Sequence, residues 1–444
     1  MAAQTARYGA RVSAPAPSPA VSGTRALRLI GLGALVGVPA ALVAALFIAV
    51  VHELQHLLWH DLPERLGTTA PPWYLVLGLP LLGACIVLVA RTRLPGDGVH
   101  APLGGISVEP TSLAHGPGVA LAALGTLPFG AVLGPEAPLI ALGSVTAAVL
   151  VPATRLDERE RGVLSLAGSF SAISALFGGP LVAGMLLLEA GVGLGPALIP
   201  FLIPGLVAAA IGFLIFVGLG DWGGLESPAL TVPGLPAYEG APGRDLVIAV
   251  AIGVVVALVV EAVRRIGVTV AGPGRVRLGT PALLLGGGLA VGGLALLADS
   301  LGADPQDVLF SGQAAIPSLI EEDSARVVLV LLAAKALAYG ICLGCGFRGG
   351  AVFPAIFLGV ALATLTVLAF DVSPTLAIAV GTAAGTAAAT RLLFASILFA
   401  GLLVGTAGVD TVPAAALAAV AAWLTMAAIE ERFPERPVTE AAGK

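Results

Sequence analysis

The sequence predicts an all-α polytopic membrane protein that consists of two structural repeats containing broken half-helices. Three observations lead to this prediction. The composition is too apolar for a soluble protein, and many apolar segments are too short to cross a bilayer. In addition, one motif of glycine and proline occurs twice, 216 residues apart (from Gly134 to Gly350).

The composition places the chain in a membrane. Of its 444 residues, 57% are hydrophobic, a further 59 are glycine and only 11% are charged. Soluble domains contain roughly 45–50% apolar residues, glycine included, and about 25% charged residues. The net charge of −5 is small and by itself says nothing about nucleic acid, and no basic tract suggests nucleic acid as a partner. Nearly all basic residues are arginine, which together with abundant alanine and glycine indicates a GC-rich, bacterial genome.

The apolar segments define the elements in chain order. We expect residues 1–25 to form a disordered cytoplasmic tail, residues 26–430 the transmembrane domain, and residues 431–444 a short cytoplasmic tail without a regulatory domain. The first two apolar segments, 27–59 and 73–90, are long enough to span a bilayer, for which about 20 residues suffice.

The later apolar segments are interrupted by glycine and proline, and they lie at about 111–129, 136–151, 162–175, 179–191, 196–218, 246–263, 281–298, 308–320, 327–345, 353–370, 374–388, 391–408 and 412–429. Many are too short to cross about 30 Å at a rise of 1.5 Å per residue. Irregular backbone is not tolerated against lipid, so we expect half-helices that pack inside a bundle or line a water-filled cavity. Broken helices of this kind are typical of ion transporters.

Two polar breaks predict the orientation of the chain. Residues 219–245 carry four acidic side chains and one arginine, whereas residues 264–277 carry four arginines and no acid. The positive-inside rule therefore places the polar break at 264–277 in the cytoplasm and the one at 219–245 outside.

The internal repeat has the pattern G-x3-G-x3-P-x4-G. One copy runs from Gly130 to Gly143 and the other from Gly346 to Gly359, and a weaker echo links residues 176–184 with 392–401. We predict repeats at about 73–218 and 246–430. Repeated halves that are broken at matching places indicate a central ion or substrate site.

Backbone physics predicts which ligand such a site prefers. A helix leaves its first N–H groups unpaired and carries about half a positive charge at its N-terminus. Glycine lets a ligand approach the backbone closely, and proline is tolerated in the first helical turn. Two such N-termini that meet within the membrane would bind an anion without a buried lysine or arginine.

These motifs resemble those of the ClC chloride channel and transporter family. Gly96-Asp97-Gly98-Val99-His100 is similar to the family's GSGIP, Gly134-Pro135-Glu136-Ala137-Pro138 to G-K/R-E-G-P, and Gly349-Gly350-Ala351-Val352-Phe353-Pro354 to G-G-x-F-x-P. The resemblance extends over about residues 30–430. It implies repeats of inverted topology and a homodimer in the lipid bilayer of the cell membrane. It also implies one pathway per subunit for chloride or a similar small anion, no enzymatic activity, and no cofactor or metal.

The resemblance also assigns site residues. Glu136 falls on the family's gating glutamate. From the residues alone it is a carboxylate at a half-helix N-terminus, and a plain helix-stabilising acid is the alternative. The anion-binding positions correspond to Asp97, Gly98, Val99, Gly134, Ala137, Gly350, Ala351, Val352 and Phe353.

Several positions depart from the family pattern. The motif serine falls on Asp97, where an ionised carboxylate would repel anions unless it is protonated, turned away or paired. Pro135 lacks the N–H that the family offers near the gate. The pore phenylalanine position holds Val352, with Phe353 one residue later.

Proton coupling is the property that these departures affect most. The internal relay glutamate of the family's exchangers falls on Ala190 or Gly191, next to Glu189, and no tyrosine follows Tyr339 to form an inner gate. We therefore predict channel-like or weakly proton-coupled anion transport, with Glu189 as the candidate proton relay. A Cl−/H+ antiporter is the alternative.

One motif indicates a different class of function. In His52-Glu53-Leu54-Gln55-His56, the H-E-x-x-H pattern would place two zinc ligands on one helix face, with Glu53 as general base. His60 or Asp97 would complete the site of an intramembrane zinc metalloprotease. Against this hypothesis, the motif ends a membrane span, where polar residues commonly meet the interface, and a protease does not need the repeat.

Two further features of the sequence can be interpreted as structural. Lys335 lies in an apolar segment, where it either neutralises charge within the membrane or anchors helix-end carbonyl groups. Cys85, Cys342 and Cys345 lie in apolar stretches and predict no disulfide framework.

Overall fold

The computed structural model describes residues 23–96, 102–105, 109–150, 156–190, 198–218, 223, 225 and 231–433, and these residues form helices and connecting segments. The α-helices are α1 (Gly23–His56), α2 (Leu62–Arg65), α3 (Trp73–Arg93), α4 (Gly116–Thr126), α5 (Glu136–Leu150), α6 (Glu158–Leu176), α7 (Pro180–Ala190), α8 (Leu198–Val217), α9 (Gly243–Ser300), α10 (Pro305–Val308), α11 (Ile316–Glu321), α12 (Ala325–Cys345), α13 (Val352–Phe370), α14 (Pro374–Thr390), α15 (Phe394–Val404) and α16 (Val412–Arg432). The all-α prediction is confirmed.

The helices include full-length spans and half-length helices, as expected for a membrane protein with broken spans. Within the described part of the chain, seven helical stretches are long and apolar enough to cross a bilayer. Others are far shorter: α4, α7 and α15 each have 11 residues, which at 1.5 Å per residue is about half of the hydrocarbon thickness. The chain is a multi-pass integral membrane protein.

The two halves repeat the same set of helix neighbours. In the first half, α6 packs against α5, α7 and α8; in the second half, α14 packs against α13, α15 and α16. The predicted repeat is therefore present in the packing as well as in the sequence. The two halves also meet directly, because α7 contacts its counterpart α15.

The first helix belongs to this repeat as well. A methyl group on Gly37 of α1 would overlap the backbone of Ala208 in α8, and one on Gly253 of α9 would overlap the backbone of Ala418 in α16. Gly37 and Gly253 are 216 residues apart, the same offset as the motif. Helix α1 thus packs on α8 through a glycine, as α9 packs on α16.

The last glycine of each motif copy lets two helices cross in backbone contact. Gly143 of α5 lies against Gly168 of α6, and Gly359 of α13 lies against Gly381 of α14, so that a side chain at any of them would meet backbone atoms. Such small-residue crossings replace the hydrophobic driving force that lipid does not supply.

The polar break predicted at 264–277 lies at the junction of two spans within α9, Gly243–Gly272 and Gly279–Ser300. The one non-helical backbone conformation within α9 is at Gly279, with φ 72°, where the two helices meet at a kink. The first two arginines still belong to the helix, because Arg264 and Arg265 both bond the Glu261 carboxylate one turn earlier, at 2.7 and 2.6 Å, and Gly267 packs closely against α12. Charge pairing and packing thus extend the first span through these two arginines.

A turn of π-helix, Leu57–Asp61, follows α1 and changes the direction of the side chains there. It turns Trp59 inward, where the ring is 1% exposed and its Nε1–H donates to the carbonyl of Pro128 at 2.9 Å. Single π turns often occur at functional sites. Here the π turn fixes the end of the first span to the segment that precedes α5.

An ion-pair cluster ties the start of α1 to the start of α6. Asp157 and Glu160 form a capping box, in which each side chain accepts from the other residue's backbone N–H, at 2.8 and 3.0 Å. Arg25 bonds both carboxylates, with 2.7 Å to Glu160. The N–H of Glu160, and then the charge of Arg25, hold the pKa of Asp157 below its ordinary value.

We predict that Asp157→Ala lowers the melting temperature of the detergent-solubilised protein at pH 7, because it removes the cap and one ion pair. Asp157→Asn keeps a capping oxygen and is the control, with a smaller loss. Since the pKa of Asp157 is lowered on folding, its stabilisation is present at neutral pH and is lost as the pH falls below the ordinary value of 3.8. The difference between Asp157→Ala and wild type should shrink there. Equal melting temperatures at pH 7 would contradict the role of the cluster.

Candidate functional site

The site is built on a reciprocal contact between the two copies of the motif. The N–H of Gly134 donates to the carbonyl of Gly350 at 2.8 Å, and the N–H of Gly350 donates to the carbonyl of Gly134 at 2.6 Å. The two residues are equivalent in the repeat. Two equivalent residues that exchange the same bond in both directions are related by a local two-fold axis between them, as an inverted repeat requires. Helices α5 and α13 therefore begin next to each other, at Glu136 and Val352.

The first glycine of each copy shapes the approach to this contact. Gly130 has φ 92° and Gly346 has φ 115°, a left-handed conformation that side-chain-bearing residues rarely adopt. Gly346 also ends α12. The prolines of the motif, Pro138 and Pro354, lie in the first turns of α5 and α13, where a missing N–H costs nothing. Each fixed position of the motif thus has a structural reason.

The Glu136 carboxylate lies on the N-terminus of the opposite half-helix. Its Oε1 accepts from the N–H of Phe353 in the first turn of α13 at 2.9 Å. The residue is 1% exposed. Its Oε2 is buried without a hydrogen-bond partner among the described residues. The carboxylate therefore lies against the amide-bearing N-terminus of α13, with one oxygen left unsatisfied among the described residues.

Only glycine fits around this carboxylate. An added Cβ at Gly350 or at Gly134 would overlap the carboxylate of Glu136. The same glycines that allow the reciprocal backbone contact thus also leave the space that the side chain fills. Ala351 and Val352 complete this turn, and the carbonyl of Ala351 accepts from the hydroxyl of Tyr339 at 2.7 Å.

The structure brings together most of the predicted anion-binding residues, namely Gly134, Ala137, Gly350, Ala351, Val352 and Phe353, around Glu136. Asp97, Gly98 and Val99, and with them His100, lie outside the described residues. The role of Asp97 therefore stays a prediction.

A cavity of about 560 Å³ leads to this site from one side of the protein. We call it the outer cavity, because Thr231 and Pro233 of the segment predicted to be external line it. The N–H of Val232 fixes this segment to the carbonyl of Leu403 at 2.9 Å. Pro135 and Phe353 line the cavity next to Glu136. The outer cavity thus gives access to the gate position.

Three phenylalanines close the outer cavity on its inner side. The ring centroid of Phe353 lies 6.1 Å from that of Phe177 and 5.9 Å from that of Phe399, and the latter two are 5.2 Å apart. Phe353 lines the outer cavity, whereas Phe177 and Phe399 line a second, much smaller cavity. The motif predicted Phe353, but no pattern in the sequence indicated that Phe177 and Phe399 would meet it.

The second cavity, which we call the inner cavity, has a volume of about 10 Å³. It is lined by Phe177, Val182, Leu186, Val352, Thr386, Thr390, Ala395 and Phe399. These residues come from α7, α13, α14 and α15 and the end of α6, so both repeats contribute. A space of this size holds about one water molecule or one dehydrated small ion.

Lys335 lies behind the outer cavity. Its fully buried ammonium group donates to three carbonyls at the end of α10, those of Asp307 at 2.8 Å, Val308 at 3.1 Å and Leu309 at 2.8 Å, and lies over the ring of Phe357. Of the two roles that the sequence left open, these contacts are those of a carbonyl anchor. The side chain of Asp307 lines the outer cavity, and burial raises its pKa to about 6.

Glu189 lies at the N-terminus of α15. Its two carboxylate oxygens accept from the N–H groups of Leu393, Phe394 and Ala395 at 2.8, 2.9 and 2.8 Å. This contact joins α7 of the first repeat to its counterpart in the second. The carboxylate is thus engaged as a helix cap beside Ala395, which lines the inner cavity.

The H-E-x-x-H motif does not form a metal site among the described residues. His56 Nδ1 lies 3.0 Å from the Asp61 carboxylate, whereas His52 lines the outer cavity. No group of three histidine, cysteine, aspartate or glutamate side chains in the described part of the chain could hold a metal ion. The protease hypothesis therefore has no support in the structure.

Comparisons with known proteins agree with this architecture. The profile of a family described as Voltage gated chloride channel matches residues 96–426. YfeO of Escherichia coli strain SMS-3-5, whose name gives ion transport as a provisional function, is 29% identical over 360 residues, which cover 76% of this chain and 79% of that relative. YfeO of Escherichia coli O7:K1 strain IAI39 is 30% identical over 356 residues, with the same coverage.

Two solved structures share the fold. A slow cyanobacterial Cl−/H+ antiporter superposes with a TM-score of 0.72 at 17% identity, covering 90% of this chain and 95% of that one. A CLC-type fluoride/proton antiporter superposes with a TM-score of 0.68 at 22% identity, covering 91% and 96%.

We predict that Gly350→Ala lowers the melting temperature of the purified protein by several degrees, because the new methyl group overlaps the Glu136 carboxylate. The double variant Gly350→Ala/Glu136→Ala should recover part of this loss, since the overlapping group is gone. For residues in direct contact, the interaction free energy between two substitutions, measured in a double-mutant cycle, is about 0.5–3 kcal/mol. Strictly additive losses would show that the carboxylate does not lie against Gly350.

Proposed function

Because the chain belongs to the voltage gated chloride channel family, we propose that it carries chloride or a similar small anion across the cell membrane through a pathway gated by Glu136. The observation that supports this proposal best is the hydrogen bond from the N–H of Phe353 to the Glu136 carboxylate. The side chain occupies the helix N-terminus that would otherwise bind the anion.

The gate operates by competition for the same donors. The ionised carboxylate of Glu136 accepts the hydrogen bond of the Phe353 N–H in the first turn of α13, as a bound anion would. In this position it blocks the path between the two cavities. Its Oε2 has no partner among the described residues, and a buried, unsatisfied acceptor is costly. Protonation removes the charge that holds the side chain at the helix end. The neutral side chain then leaves, and an anion from the outer cavity takes its place.

Channel-like or weakly coupled transport is the second part of the proposal. Proton antiport requires a carboxylate that accepts and releases protons on the inner side. The candidate there, Glu189, already accepts three backbone hydrogen bonds at the start of α15, which hold its carboxylate in place as a helix cap. A fixed cap is a poor proton carrier.

Proton-coupled exchange is the second candidate function. Both solved structures named above are of antiporters, one for chloride and one for fluoride. Glu189 also lies beside the inner cavity through Ala395, so that a small displacement would expose its carboxylate to that space. Exchange and channel-like transport therefore differ in one measurable property, the uphill movement of protons.

We expect anion efflux from proteoliposomes that contain the wild-type protein, and several-fold faster efflux with Glu136→Gln, which cannot compete as an anion. The variant should also lose the acceleration that acid gives to the wild type. Asp307→Asn is the matched control, because it removes the other carboxyl that titrates in the outer cavity but leaves the gate.

Two results would contradict the proposal. Background efflux of chloride, bromide, nitrate and fluoride alike would exclude anion transport. Identical efflux by wild type and Glu136→Gln between pH 4 and 8 would reduce Glu136 to a helix-stabilising acid. Glu53→Gln, which removes the general base of the protease hypothesis, should transport like the wild type.

We predict that a chloride gradient drives little or no uphill proton uptake into sealed vesicles. If uptake does occur, Glu189→Gln should abolish it while chloride efflux continues, and Glu189→Asp should retain part of it. Loss of both fluxes together with a lower melting temperature would identify Glu189 as a cap alone. Robust uptake that depends on Glu189 would establish an exchanger.

A further inference from the structure

We propose that the hydroxyl group of Thr386 is a ligand for the transported anion, in a binding site for one dehydrated monovalent anion at the inner cavity. Thr386 belongs to α14 and to none of the motifs that predicted the pathway. The inference rests on the proposed function. It adds the Thr386 hydroxyl group to the anion pathway as a hydrogen-bond donor on the inner side of Glu136.

The first observation is the unused hydroxyl group. The Oγ1 of Thr386 is buried and has no hydrogen-bond partner among the described residues, and the residue is only 5% exposed. Threonine in a helix commonly bonds its own helix at the carbonyl one turn earlier. Thr390 and Thr364 do so, at 2.7 and 3.0 Å. Thr386 does not, so its donor is available to a group outside the helix.

The second observation is the position of this hydroxyl group. Thr386 lines the inner cavity together with Val352, the first residue of α13, and two of the three phenylalanines. The cavity therefore lies at the positive end of the half-helix whose first turn holds the Glu136 carboxylate. An anion displaced inward from that turn enters this space next.

The lining of the cavity favours an anion over water. A buried water molecule needs two to four polar partners. The lining offers two side-chain hydroxyl groups, and that of Thr390 already donates to the Thr386 carbonyl and accepts from the N–H of Leu392 at 3.2 Å. The remaining side chains are apolar, and none is acidic.

Each electrostatic feature of this lining is positive towards its centre. The unused hydroxyl donor of Thr386 and the N-terminus of α13 both attract negative charge. The volume of about 10 Å³ admits one small ion without its hydration shell. A halide that loses its hydration shell in this cavity needs the hydroxyl group to replace a hydrogen bond that it previously accepted from water.

Helix α14 provides a matched set of three threonines for the test. Thr386 lines the cavity with an unused hydroxyl, Thr390 lines it with an occupied one, and Thr382 is buried with an unused hydroxyl but does not line it. Valine has the shape of threonine without the hydroxyl. Thr386→Val removes an unused hydroxyl at the cavity, Thr390→Val an occupied hydroxyl at the cavity, and Thr382→Val an unused buried hydroxyl away from it. Comparing the three variants therefore shows whether an effect comes from the free donor at the cavity or only from a buried hydroxyl group.

The measurement is efflux from proteoliposomes over a range of chloride and fluoride concentrations, with the melting temperature of each variant in parallel. We expect Thr386→Val to raise the half-saturating concentration of the transported anion about tenfold, as for loss of a hydrogen bond to a charged group. Thr386→Ser should stay near wild type, and Thr382→Val, which lies away from the cavity, should change the half-saturating concentration little. Of the two variants in the cavity lining, Thr390→Val should have the clearly smaller effect, because its hydroxyl already donates to the Thr386 carbonyl.

Three outcomes distinguish the possible failures. No efflux by the wild type would overturn the proposed function itself. Normal wild-type efflux with an unchanged half-saturating concentration in Thr386→Val would overturn this inference alone. An equal change in Thr382→Val would assign the effect to packing of α14 and would overturn it as well. If Thr386→Val does not fold, Thr386→Ala against Thr386→Ser gives the same comparison.

Discussion

The reciprocal hydrogen bonds between Gly134 and Gly350 are the constraint on which the rest of the site depends. They fix the starting points of α5 and α13 against each other, which brings two positive helix ends together inside an apolar protein. One of these ends would lack a negative partner if Glu136 did not reach across the local two-fold axis. The position of Glu136 is therefore a product of the repeat, because the carboxylate of one copy accepts from an amide of the other.

The sequence predicted the parts of this arrangement but not their pairing. The repeated motif located both half-helix starts, and the predicted segment 136–151 agrees with α5. That Glu136 would bond Phe353 rather than its own helix depends on a tertiary contact between residues more than 200 positions apart. The sequence could not predict a role for Thr386 for the same reason. A threonine in an apolar helix is recognised as a possible ligand only when the cavity beside it is known.

Two polar patterns show what residue spacing could not predict. The arginines at 264–277 mark the junction of two spans within α9, yet the first two of them pair with Glu261 inside the helix. His52 and His56 lie on the regular helix α1, but His52 lines the outer cavity whereas His56 pairs with Asp61. In both places the contacts of a side chain depend on pairing and packing that the spacing of residues does not show.

The glycine crossings of α5 with α6 and of α13 with α14 limit how this protein can move. Where backbone lies against backbone, no flexible side chain exists to accommodate sliding, so each helix pair behaves as one rigid body. Rocking of one half against the other would leave these crossings intact, because each lies within one half, but it would break the reciprocal hydrogen bonds between Gly134 and Gly350. Those two backbone bonds are therefore the contact that any relative motion of the two halves would first have to give up.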